Sequence, residues 1–266
     1  LLEFDRELFD EFKRNIRFED ISQYRDLSPV YYKLARYIGV SESQLLLSAG
    51  SDLAIKSVFE ACLGKRDHII LHSPSYAMFR IYADMFGVEQ TMVAVKDDWS
   101  VDVEGMLTQV NARTKMVVVE NPNGFVGTKP HKDVLEYLAL ELCKRDVLFL
   151  IDEAYFYVEN SYSKSHLLIK KYPNVLITQT FSKAHGLAGL RVGYLIGNEH
   201  VIEFISHVRP MHEISSLSAL AMEWVLDHPE LLKENQKSIK ESKDYLIKEL
   251  HKFNIPVKDT HANFVL

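Results

Sequence analysis

The sequence predicts an α/β fold with a mostly parallel sheet sandwiched by helices. Two observations predict it: short runs that are apolar throughout rather than alternating, and helix-period segments between them. The runs are His68–Leu71, Met116–Val119, Val147–Ile151, Val175–Thr178 and Val192–Ile196. A strand with successive apolar residues has both faces covered, as in a parallel sheet between helix layers.

The elements follow in chain order. Helical spacing is expected over Asp52–Leu63 and again over Ser75–Met85. In His131–Cys143, Val134, Leu138 and Leu142 recur every fourth residue, with Pro130 in the expected first turn. Beyond about residue 212 the pattern changes. Leu232, Ile239, Leu246, Leu250 and Phe253 mark one long amphipathic helix, followed by a strand-like tail, Ala262–Leu266. A second, smaller α/β domain is expected to start there and to be incomplete, because the chain stops in that tail. The expected division is an N-terminal helical segment over 1–23, a large domain over 24–212 and the start of a small domain over 213–266.

Composition removes several function classes. Hydrophobic residues at 47% exclude disorder. A net charge of −6 argues against nucleic acid or an anionic membrane as the main partner. No apolar run approaches the roughly 18 residues of a membrane span. The charged start, with Glu3, Asp5 and Arg6, is unlike a signal peptide and lacks an initiator Met. Cys62 and Cys143 form no CxxC pair and are expected as buried thiols, which fits the reducing cytoplasm.

Glycine motifs exclude more. Gly186, Gly189 and Gly193 have the wrong spacing for a dinucleotide fingerprint, and Gly124–Lys129 is not a phosphate-binding P-loop. The informative segment is Thr180-Phe-Ser-Lys-Ala-His-Gly-Leu-Ala-Gly-Leu-Arg-Val-Gly-Tyr194. It puts Lys183 just past a strand's carboxyl end, where open α/β sheets bind ligands. Thr180 and Ser182 offer hydroxyls, and Arg191 offers a fork for a phosphate. A lysine beside a phosphate-binding set suits pyridoxal 5′-phosphate held as a Schiff base. Taken alone, Lys183 reads as a solvated loop lysine with an ordinary structural arginine. The second constellation is Asp152-Glu-Ala-Tyr155, right after the run Val147–Ile151. In isolation an Asp-Glu pair there is a metal site or a helix cap. Beside Lys183 it supplies what the cofactor needs: Asp152 to keep the pyridine nitrogen protonated, Tyr155 for the 3′-oxygen, and a small Ala154 against which a flat ring can lie. No metal is called for.

These two segments resemble the fold-type I pyridoxal-phosphate enzymes of the class I/II aminotransferases, closest to the histidinol-phosphate aminotransferase branch. The resemblance runs from about Tyr24 to Phe264. It implies that Gly50, Ser51 and Asp52 seat the cofactor phosphate at a helix start, a stretch that by itself reads as a plain N-cap. It implies that Tyr76 stacks on the ring, and that Tyr24 reaches the neighbouring subunit's cofactor phosphate in a homodimer with shared sites. One loop departs from the family's NPNNPTG-like pattern. Asn121-Pro-Asn-Gly-Phe-Val-Gly127 places Gly124 in the column of the asparagine that touches the 3′-oxygen, so either Asn123 replaces it or Tyr155 acts alone. His185 stands where phenylalanine or tyrosine is common, as a packing residue or a substrate contact. The family's N-terminal substrate segment would precede Leu1, and its carboxylate-clamping arginine would follow Leu266.

The implied activity moves an amino group from an amino acid, expected to be glutamate, to an oxo acceptor, phosphorylated or not, with ping-pong kinetics. The alternatives are a decarboxylase of threonine or serine phosphate and, from a different class, a non-catalytic domain of the same fold.

Overall fold

The computed structural model describes residues 6–159 and 165–266. The first five residues of the expected N-terminal segment, Glu3 and Asp5 among them, therefore lie outside the described residues. Among those described, seven strands form one sheet: β1 (Leu45–Ser48), β2 (His68–Ser73), β3 (Glu89–Ala94), β4 (Thr114–Glu120), β5 (Leu148–Asp152), β6 (Val175–Thr180) and β7 (Gly193–Gly197). Their order is β1-β7-β6-β5-β4-β2-β3. From β3 to β6 all pairings are parallel, and only β7 is reversed against both of its neighbours. The reversal follows from the connection. Residues 181–192 carry only a short 3-10 turn, Ala188–Leu190, and no helix to cross the sheet back to its starting edge.

Both faces of the sheet are covered, which is why the strand runs are apolar on successive residues. Val117, Val119, Phe149, Ile151, Val175 and Ile177 point into one core. Met116, Val118, Leu150 and Leu176 point into the other, against Ala54, Ile55, Val58 and Phe59 of helix Gly50–Cys62. β3 escapes the apolar-run criterion because it is the edge strand, half-exposed and polar at Glu89, Gln90 and Thr91.

Three expectations are corrected. Pro130 precedes helix Lys132–Cys143 rather than entering its first turn; His131, in extended conformation, is the cap. The long helix runs over Pro229–Lys252, but its stripe is buried only near its start, at Leu232. Leu246 and Phe253 are exposed, because the helix leaves the core after its first turns. The tail Ala262–Leu266 forms no strand. Its pairing is confined to one exchange of backbone hydrogen bonds between Lys258 and Leu266, and it packs against the 121–127 loop, where His261 N–H donates to Gly127 C=O at 2.8 Å.

Because β2, β4, β5 and β6 run parallel, Ser73, Glu120, Asp152 and Thr180 end at the same edge. The four loops that follow them build one site.

Candidate active site

Glu120 and Asp152 are register partners across β4 and β5 and form the cavity floor. Asp152 is 4% exposed. Its Oδ1 accepts the Thr178 hydroxyl at 2.8 Å, and its carboxylate accepts the Ala154 N–H. Burial pushes its pKa up to about 6; those two donors and the nearby Lys183 charge hold it back, so it is ionised at neutral pH. Glu153 turns the other way, away from the cavity. It is fully buried and accepts hydrogen bonds from Asn121, Ser165 and Gln179.

The turn after β6 carries Lys183. Thr180 Oγ1 accepts the Ser182 N–H at 3.1 Å and donates to the Val192 carbonyl at 3.1 Å, which locks the turn to the start of β7. From the far side, Asn235 of the long helix donates to the Ala184 carbonyl at 2.9 Å. Lys183 Nζ lies 4.9 Å from the centre of the Tyr155 ring. Tyr155 is braced on its other side by the edge-on Phe264 at 5.9 Å, a contact from the tail that sequence spacing gave no means to anticipate. His185 is buried between Tyr157 and Phe181. Burial pushes its pKa down to about 3, so it packs as a neutral ring rather than facing the cavity.

The third wall is the start of helix Gly50–Cys62, whose first N–H groups lack helical partners. This helix comes down directly on β7. A Cβ at position 193 would stand 2.4 Å from Gly50 C and Ser51 N, so only glycine permits the approach. Arg191, in left-handed backbone conformation, brings its guanidinium beside Gly50. Tyr76 closes the top and donates to Asp52 Oδ1 at 3.4 Å.

These walls enclose a cavity of about 280 Å³, the lower end of the range for small-molecule sites. Ser51, Asp52, Tyr76, Asp152, Ala154, Tyr155, Thr180, Ser182, Lys183 and Arg191 all line it. Three expected residues do not. Gly50 lies just behind Arg191. Asn123 is corrected: its side chain is buried in its own loop, accepting the Phe125 and Val126 N–H groups and donating to the Pro74 carbonyl, so none of it faces the cavity. Tyr24 lies outside this chain's own cavity, 82% exposed, with its ring stacked on His212 at 3.9 Å beside a second depression that also includes Arg191. Of the lining residues that the sequence reading did not single out, Ser75 and Ala77 among them, the charged one is Glu120. Its only signal was a charge at the end of an otherwise apolar run.

Comparison with known proteins follows this geometry. The sequence model described as aminotransferase class I and II matches residues 12–266. The histidinol-phosphate aminotransferase of Thermoanaerobacter pseudethanolicus is 30% identical over 270 residues, covering 99% of this chain and 75% of the relative. That of Sulfurisphaera tokodaii is 34% identical over 239 residues, covering 87% of this chain and 65% of the relative. Among solved structures, the histidinol-phosphate aminotransferase of Sinorhizobium meliloti in complex with pyridoxal-5′-phosphate superposes with a TM-score of 0.90. It is 22% identical and covers 98% of this chain and 71% of its own. Aspartate aminotransferase of Thermus thermophilus gives 0.84 at 21% identity, over 99% and 74% of the two chains. At these identities the two structures establish the shared fold.

Proposed function

The chain belongs to the aminotransferase class I and II family, and we propose that it transfers the amino group of glutamate to a phosphorylated oxo acceptor of the histidinol-phosphate type. Its cofactor is pyridoxal 5′-phosphate, and the donor set suits it: Lys183, the buried Asp152 carboxylate and a helix start with an arginine face a single cavity. That convergence carries the reading. The cavity wall also holds a buried hydroxyl without a hydrogen-bond partner, Ser75 Oγ, as a polar ligand would require.

When bound, the cofactor supplies an electron sink for the pair left on a substrate Cα once its proton is removed. Lys183 Nζ would hold the cofactor at its aldehyde carbon and, as a free amine, would take the substrate Cα proton and return it. Asp152 keeps a proton on the pyridine nitrogen, and a cation there stabilises its ionised form further. Ser51, Ser182 and Arg191, with the N–H groups at Gly50 and Ser51, would hold the phosphate, and Thr180 would fix the turn that presents Ser182. Ala154 would leave room for the flat ring, Tyr76 would stack on it, and Tyr155 would donate to its 3′-oxygen.

In this reading 24–212 is the cofactor-binding domain and 213–266 the start of a smaller one. The working unit is a cytoplasmic homodimer. The exposed Tyr24 beside Arg191 supports it, since a side chain held outside its own cavity is free to complete a partner's.

The test is a visible spectrum of the protein loaded with the cofactor, before and after glutamate. Glutamate is expected to convert the bound cofactor to its amine form with one equivalent of 2-oxoglutarate. Lys183→Ala is expected to bind the cofactor without a covalent link and to lose at least about a thousandfold in turnover. Carbon dioxide released from a phosphoamino acid, with no oxo acid formed, would replace amino transfer by decarboxylation.

A further inference from the structure

The loop that departs from the family pattern lacks one side chain at the cavity wall. Position 124, the column of the family's cofactor-contacting asparagine, is glycine, and its backbone does not need glycine: its φ is not positive. The space there is already taken. A Cβ on Gly124 would stand 2.9 Å from Glu120 Oε2 and 3.1 Å from Tyr155 Cε2. Glu120 thus reaches into the volume that a side chain at 124 would hold.

We propose that Glu120 is a cofactor-contacting residue, presenting its carboxyl to the 3′-oxygen side of the pyridoxal ring in place of the amide that position 124 lacks. This rests on the pyridoxal-phosphate reading above.

Four observations carry it. Glu120 lines the cavity with Asp152 and Tyr155 while only 2% exposed. Its two oxygens are held separately, Oε1 by the Tyr76 N–H at 2.8 Å and Oε2 by the Gly124 N–H at 2.6 Å, so each keeps a further site open. Among the described residues, no cation answers it from behind. His72 Nε2, 3.7 Å from Oε1, accepts the Glu120 N–H at 3.1 Å, so that nitrogen carries no proton; burial pushes the ring's pKa down to about 4. Asn123, the other candidate for the role, has its carbonyl oxygen taken by the Phe125 and Val126 N–H groups and its NH₂ turned to the Pro74 carbonyl, away from the cavity.

Burial and the neighbouring Asp152 push Glu120 up to about 8, so at neutral pH it holds a proton to donate. A glutamine at 120 would not serve equally, because its NH₂ would face one of the two backbone N–H donors.

The experiment follows the bound cofactor rather than turnover. The protein loaded with pyridoxal 5′-phosphate is titrated with pH, and the midpoint of its visible band is read. A donor to the 3′-oxygen favours that oxygen's charged form. Glu120→Ala is therefore expected to raise the midpoint by about one pH unit and to weaken cofactor binding by about tenfold, the scale of one lost hydrogen bond. The exchange variant Glu120→Ala with Gly124→Asn is expected to bring the midpoint most of the way back. Should Glu120→Ala fail to fold, Glu120→Asp, which withdraws the carboxyl by one methylene, is expected to give the same upward shift. A midpoint and affinity unchanged in a folded Glu120 variant overturn the assignment. So does an exchange variant that binds the cofactor but leaves the midpoint displaced. A wild-type protein that takes up no pyridoxal phosphate would instead overturn the underlying cofactor reading.

Discussion

Asp152 and Glu153 are adjacent in the chain, both carboxylates, both buried, and they stand in opposite surroundings. Asp152 faces the cavity with one hydroxyl and one backbone donor. Glu153 faces the interior, where Asn121, Ser165 and Gln179 donate to it, and Gln179 in turn accepts from the Tyr157 and Tyr194 hydroxyls. A buried carboxylate surrounded by donors has its desolvation offset within the protein and ties segments together. One left with open acceptor sites beside a cavity is available to a ligand. Burial alone does not separate the two; the direction of the side chain at the strand end does.

The comparison yields tests of decreasing size. Asp152→Asn is expected to lower kcat by about a hundredfold or more while the cofactor still binds, since the phosphate contacts are untouched. Steady-state kinetics with the visible spectrum checks both parts, and near-normal kcat would remove the electron-sink role. Glu153→Ala is expected to act on the fold instead. It strands the Asn121 and Gln179 amides, at about 2–4 kcal/mol by urea unfolding, with a smaller loss of turnover than in the Asp152 variant. A stable Glu153 variant with no turnover would reverse the contrast.

Glu120 adds a pH signature to the same contrast. Its pKa is about 8 in the folded chain against an ordinary 4.5. Between those values the folded state keeps a proton that the unfolded state has released, so this contribution is full below about pH 4.5 and is lost as pH rises toward 8. Urea unfolding of the cofactor-free protein across that window is expected to show a steeper loss in wild type than in Glu120→Ala; equal slopes would mean that Glu120 is ionised throughout. The smallest effect belongs to His185. His185→Phe is expected to keep kcat within about twofold and stability within about 1.5 kcal/mol, because the ring is already neutral and packed among aromatics. A tenfold fall in kcat would make it a substrate contact.

Much of this was legible in the chain. The five apolar runs each coincide with a strand to within two residues at either end, because a sheet covered on both faces leaves no room for alternation. The edge strand β3 was not legible, since one exposed side readmits polar residues. The tail over 262–266 has strand composition, but composition supplies no partner strand. At the site, Lys183, Asp152, Ala154, Tyr155, Thr180, Ser182 and Arg191 were legible because each is the last residue of a strand or lies in the loop that follows it. Asn123 was misplaced by a loop whose own N–H groups claim its side chain.

Residue chemistry and spacing along the chain were enough for the class of fold, the strand ends and the pairing of a lysine with an aspartate, because these depend on periodicity and on neighbours a few residues away. The direction of Glu120, the approach of Gly50 to Gly193, the separation of Asp152 from Glu153 and the bracing of Tyr155 by Phe264 depend on contacts between segments tens of residues apart. Only the packed sheet brings those segments within van der Waals distance, and there a single absent Cβ decides which side chain fills the cavity wall.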